Sequence, residues 1–172
     1  MKIELNRDWS EFLALLISHR VRFVLVGGHA VAGHGEPRLT EDLDVFVEPA
    51  RANAARLRAA LVEFGFGDAA PPVEALAEAG KIFMLGRKPW RIDVLTAIDG
   101  VSFKEAWLSR VEAQFVAGPI FVIGREALIK NKRASGRIKD LADVEALERT
   151  PPPKRRRSPS LTTRSKKSAK RR

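Results

Sequence analysis

The chain contains no cysteine among its 172 residues. Disulfides and thiolate-bound metals are thereby excluded, and a reducing, cytoplasmic setting is expected. Its three histidines, His19, His29 and His34, form no HExxH pattern, so an imidazole-based zinc centre lacks its ligands. No apolar run approaches the ~18–20 residues that span a bilayer, and the N-terminus has no signal-peptide pattern. No membrane partner is therefore expected. The last absence is of acid: from Lys154 to Arg172 there are ten Lys or Arg and not one Asp or Glu.

That absence relocates the net charge of +10. Ahead of the tail, residues 1–153 carry 21 basic and 21 acidic side chains, so the part able to fold is formally neutral. The excess sits in a Pro/Ser/Lys/Arg segment with almost no apolar content, expected to be disordered. Such a tail is drawn to RNA or DNA backbones; a solubilising extension with no dedicated partner fits the composition equally well. Three consecutive prolines at 151–153 mark the boundary, giving one folded domain over residues 1–150 and a basic tail over 151–172.

Within the domain, Asp8-Trp-Ser-Glu11 has the spacing of a capping box. It precedes an amphipathic helix with Trp9, Phe12, Leu13, Leu16 and Ile17 on one stripe. Val21–Val26 has strand character and breaks at Gly27-Gly28; a helical turn over 29–34 follows, then a second strand, Asp42-Leu-Asp-Val-Phe-Val47. A helix is expected from Ala50 to about Phe64 and a short one over 71–79. A hairpin pairs 81–85 with 90–95, a short helix follows at 103–109, and strands at 112–116 and 119–123. Helices over 125–134 and 138–147 finish the fold. Trp9, Trp90 and Trp107 are expected in the core or at its edge. Helices and strands interleave, so the fold class expected is α/β (α+β), a small mixed β-sheet flanked by helices.

The chemistry concentrates between Val24 and Val47. Alternate residues of a strand share a face, so Asp42 and Asp44 emerge on the same side, close enough to share a cation. Asp93, between Ile92 and Val94 on a later strand, adds a third carboxylate. Hard oxygen ligands suit Mg²⁺ or Mn²⁺. Gly27 and Gly28 precede a helical turn and lack a Cβ, so phosphate oxygens can approach the backbone there. A phosphate cradle opposite a carboxylate pair is equipment for phosphoryl or nucleotidyl transfer. His29, after the glycines, and Arg38 and Thr40, ahead of the aspartates, are further candidates for nucleotide contact.

Gly27-Gly28, thirteen intervening residues, Asp42-Leu-Asp44-Val and Ile92-Asp93-Val94 together resemble the signature of the polymerase-beta-like nucleotidyltransferase superfamily. Leu128-Ile-Lys-Asn-Lys-Arg133 and Arg137-Ile-Lys-Asp140-Leu-Ala-Asp143 are similar to segments of its small prokaryotic branch, allied to AbiEii-type toxins and minimal nucleotidyltransferases. The resemblance implies a nucleotidyltransferase-like core. It also implies an enzyme that moves a nucleoside monophosphate from an NTP to a hydroxyl with Mg²⁺ or Mn²⁺, to an RNA 3′ end such as that of tRNA, or to a protein. A toxin–antitoxin setting with an antitoxin partner follows from the same branch. By residue, it implies that Asp42, Asp44 and Asp93 are catalytic and bind metal, that Gly27 and Gly28 hold the triphosphate, and that Lys130 and Lys132 contact phosphates. A non-catalytic nucleotide- or RNA-binding module of the same fold suits these residues as well.

Overall fold

A computed structural model describes residues 5–149 of the chain; the basic tail lies outside the described residues. Helix α1 (Arg7–Ser18) buries Trp9, Phe12, Leu13 and Leu16 on one face. Each such side chain contributes about 1.5–3 kcal/mol when fully removed from water. The helix is capped two residues earlier than its capping-box spacing suggests, because the side-chain oxygen of Asn6 accepts the Trp9 N–H at 2.9 Å. A cap of this kind is worth about 1 kcal/mol.

The chain continues through β1 (Phe23–Leu25), α2 (Gly27–Gly33), β2 (Asp42–Val47), α3 (Arg51–Leu61) and α4 (Val73–Ala77). The hairpin strands β3 (Ile82–Leu85) and β4 (Arg91–Leu95) follow, then α5 (Phe103–Ser109), β5 (Val111–Phe115) and β6 (Gly118–Val122), with α6 (Arg125–Ser135) and α7 (Ile138–Arg149) last. Helix α3 ends short of the expected Phe64, passing into a wider turn over Val62–Phe66. The six strands form one mixed sheet in the order β3-β4-β2-β1-β6-β5. β2 runs parallel to β4 and antiparallel to β1, while β1 runs parallel to β6.

The two faces of β2 have different fates. Leu43, Val45 and Val47 are fully buried on one side. On the other, Asp42 and Asp44 stay partly accessible at the start of the strand, and Phe46 closes the core by packing edge-on against Phe103 of α5, with ring centroids 5.2 Å apart. The charged-to-apolar change along this face fixes where the core stops and an open cleft begins. Asn53 secures the far end of β1 and β2. Its Oδ1 accepts the Arg22 N–H at 2.7 Å and its Nδ2 donates to the carbonyls of Arg22 and Glu48 at 3.0 Å each, so a buried amide keeps its partners.

The expectation for Trp90 needs correction. Trp90 is 54% exposed rather than in the core; its carbonyl accepts from Trp9 Nε1 at 3.2 Å, so its backbone is anchored while its ring lies at the surface. Trp107 lies at the core edge as expected, partly buried, with the guanidinium groups of Arg110 at 4.0 Å and Arg22 at 4.7 Å from its ring.

Candidate active site

The parallel pairing of β2 with β4 assembles the acids. Its register sets Asp44 opposite Asp93 and Asp42 opposite Arg91. Residues facing one another across a ladder share a face, as do residues two apart along a strand. Asp42, Asp44, Arg91 and Asp93 therefore emerge on one patch of sheet.

Arg91 is the residue that sequence reasoning missed. Its Nε donates to Asp93 Oδ1 at 2.7 Å, and its Nη2 to Asp93 Oδ2 at 2.7 Å and to Asp42 Oδ2 at 2.9 Å. One guanidinium fork thus spans two of the three carboxylates. The available signal was Arg91-Ile-Asp93 itself, which puts a base and an acid on the same strand face.

Asp44 is held differently. The Val26 N–H donates to the Asp44 carbonyl at 3.1 Å, so the turn out of β1 falls directly beside the Asp44 side chain. Gly27 takes φ +62° there, and a Cβ on it would stand 1.9 Å from Asp44 Oδ2. The glycine is needed twice over, for its conformation and for its missing side chain. At Gly28 a Cβ would lie 2.8 Å from Cβ of Thr40, and Thr40 Oγ1 in turn donates to Asp42 Oδ1 at 2.8 Å. The glycine pair thus packs on the residues that carry and orient the acids. Burial first, and then the neighbouring charges of Asp42 and Asp93, push the Asp44 carboxyl up to about 6. The cluster has more negative charge than Arg91 neutralises.

A cleft of about 390 Å³ opens over this patch. Gly27, Gly28, Arg38 and Thr40 line one side, the three aspartates and Arg91 the floor, and Ile82, Leu95, Ala97 and Ile98 an apolar end. Asn131, Lys132, Ser135, Arg137 and Lys139 of α6, α7 and their connection form the opposite wall. A shallower groove between α3 and α4 has no acid cluster, and its Arg51 and Glu74 pair with each other at 3.0 Å.

The lysines divide in a way the sequence did not disclose. Lys130, expected at the phosphates, pairs with Glu105 at 2.9 Å and does not line the cleft. Helical geometry is the reason: two residues apart, Lys130 and Lys132 point in different directions. Lys132 does line the cleft, but its ammonium is buried between Asp140 at 2.7 Å and Asp143 at 2.8 Å. Burial opposes ionisation of Asp140, yet hydrogen bonds from Lys132, Ser135 and Arg137 outweigh it and hold the carboxyl at about 2. Arg38 reaches across to Asp143 at 3.4 Å, tying the loop ahead of β2 to α7. Lys139 is exposed on the cleft wall and its charge is felt at Asp44, which suits it better than Lys130 to meet an anion above the acids.

The histidines stand apart. The His29 ring lies edge-on to Trp9, centroids 5.0 Å apart, and does not line the cleft; burial lowers its pKa and favours the neutral imidazole. His34 is buried and its Nε2 lies 2.8 Å from the Ile123 carbonyl, to which it donates. His19 meets Glu63 at 2.7 Å on the surface.

Residues 12–80 match the family described as nucleotidyl transferase AbiEii toxin, Type IV TA system. The matched stretch holds Gly27, Gly28, Asp42 and Asp44 and ends before β3; Asp93, outside it, joins them through the β2–β4 register. Among solved structures, the chain is similar to an antigenic nucleotidyltransferase-like protein from Paracoccidioides brasiliensis, with 15% identity, 81% of this chain and 73% of that one covered, and a TM-score of 0.49. No curated protein sequence matches.

As to a metal, the donor set is chemically apt: three carboxylates share one face, one of them is pushed to about 6 by burial and by its neighbouring carboxylates, and hard divalent cations take such oxygens. Among the described residues, however, no three acids or histidines are disposed around one point as a metal shell requires. Arg91 holds the oxygens that a cation would need. The donors fit the ion, and their present arrangement fits a guanidinium.

Proposed function

We propose that this chain is a nucleotidyltransferase, which transfers a nucleoside monophosphate from an NTP to a hydroxyl acceptor in a reaction that needs Mg²⁺ or Mn²⁺. The observation that carries the reading is the register that sets Asp44 opposite Asp93, with Asp42 two residues away and the glycine turn packed against Asp44. In this reaction the acceptor oxygen bonds to the α-phosphorus, the bond from that phosphorus to the pyrophosphate oxygen breaks, and the hydroxyl proton passes to the carboxylate cluster. A divalent cation held by Asp42, Asp44 and Asp93 would neutralise charge on the phosphates. Arg38 and Lys139 supply cationic groups beside the cleft, and Gly27 and Gly28 line it next to Asp44 and Thr40. The apolar end, Ile82, Leu95, Ala97 and Ile98, offers a surface for a base or sugar.

The acceptor belongs to the same proposal. An RNA 3′ end, such as that of tRNA, suits the basic tail over 151–172 as an anchor, and a protein hydroxyl is the other candidate. The toxin–antitoxin description of the matched family supports an antitoxin partner for this chain too.

Equilibrium binding of each NTP in millimolar Mg²⁺ tests the reading. Binding by the intact chain that is lost in Asp42→Ala and Asp44→Ala, both folded, is the expected result; equal binding by all three contradicts it. One observation favours a second reading. Because Arg91 already pairs with both Asp42 and Asp93, a non-catalytic nucleotide- or RNA-binding module would need no metal. NTP or RNA binding indifferent to EDTA, with no transfer, would establish it.

A further inference from the structure

We propose that Arg91 is a resident counter-ion of the acid cluster, exchanged for the divalent cation, and so sets how readily the metal binds. The inference rests on the metal-dependent reading above and concerns a residue that reading does not use.

The geometry sets the two cations in competition for the same carboxylates. Arg91 starts opposite Asp42 in the ladder and two residues before Asp93 on its own strand, so its side chain can only reach forward over the face that carries the acids. Its fork takes both oxygens of Asp93, at 2.7 Å each, and one oxygen of Asp42 at 2.9 Å. A bidentate guanidinium–carboxylate pair of this kind is both strong and directional. Mg²⁺ binds carboxylate oxygens at about 2.0–2.1 Å, and Arg91 already draws on both oxygens of Asp93 and one of Asp42, so guanidinium and divalent cation compete for the same negative charge. A divalent cation that gains Asp93 therefore does so at the expense of its pairing with Arg91.

Arg91 also offsets part of the mutual repulsion of three carboxylates, one of which, Asp93, is only 8% exposed. Arg91 itself is 24% exposed at its side chain, so it can swing towards solvent in the cleft without breaking the core. It is a positioning residue: it acts through Asp42 and Asp93.

Calorimetric Mn²⁺ titration of the metal-stripped full-length chain, Arg91→Gln and Arg91→Lys, with thermal melts of each, tests the exchange. Arg91→Gln is expected to bind Mn²⁺ about tenfold or more tightly than the parent. Arg91→Lys, which keeps the charge but not the fork, should fall between them. The metal-free Arg91→Gln protein should melt lower and gain more from Mn²⁺ than the parent does. Unchanged or weaker Mn²⁺ binding in both variants overturns the exchange while leaving the proposed function standing. Failure of all three proteins to bind Mn²⁺ overturns the metal-dependent reading itself, and the exchange with it.

Discussion

Asp44 fills the space that a side chain on Gly27 would need: a Cβ there would lie 1.9 Å from Asp44 Oδ2. The turn and the acid are one structural unit. Gly27→Ala should therefore cost about 1–3 kcal/mol from strain at a positive φ, and more from the clash. In a double-mutant cycle by urea denaturation, Asp44→Ala should relieve part of that cost, so the two changes are less than additive. Strict additivity would mean that the contact carries no energy.

Asp44 also gives the apo protein a pH signature. Its carboxyl lies at about 6 in the fold against 3.8 in the unfolded chain, so the folded state binds more protons between those values. Asp44 thus contributes stability that is full below about pH 4 and is lost as pH rises through 6. His29 and His34, with lowered pKa values, pull in the opposite direction, so the difference between parent and Asp44→Asn is the informative quantity. Without metal, Asp44→Asn should be the more stable at pH 7.5 by on the order of 2–3 kcal/mol, and the gap should close by pH 4. A gap independent of pH contradicts the account.

Lys130 and Lys132 should behave oppositely despite their spacing. Lys132→Ala leaves Asp140 and Asp143 buried without their shared cation, a loss of about 3–5 kcal/mol. Lys130→Ala removes an exposed pair with Glu105, worth about 0–1 kcal/mol. Thermal denaturation of the two variants distinguishes them.

Lys139→Ala should leave the melting temperature within error and weaken NTP binding about tenfold, since the side chain is exposed on the cleft wall and has no ion pair among the described residues. Fluorescence titration with a labelled NTP measures this. Unaltered affinity would remove Lys139 from the phosphate path.

Much of this was legible in the chain. The α5 limits, Phe103 and Ser109, follow from its apolar pattern, and the three acids announce themselves by strand periodicity. Three features were hidden because they depend on distant segments. Arg91 lies on the acid face whatever the fold, but only the parallel β2–β4 register brings it to Asp42. Lys130 and Lys132 look equivalent until helix packing assigns one to Glu105 and the other to a buried acid pair. His29 looked like part of the glycine turn because it is next in sequence; the helix that begins at Gly27 rotates it towards Trp9. The glycines were read for phosphate access, and their tightest neighbours prove to be Asp44 and Thr40.

The most direct test of the central claim follows two labels in one reaction. The full-length chain, Mg²⁺ and total RNA are incubated in parallel with an NTP labelled at the α-phosphate and with the same NTP labelled at the γ-phosphate. The account predicts that α-label enters RNA or protein, that γ-label leaves as pyrophosphate, and that Asp42→Ala lowers incorporation by a factor on the order of 10² or more. Incorporation of γ-label, or α-label incorporation unaffected by Asp42→Ala, would contradict it.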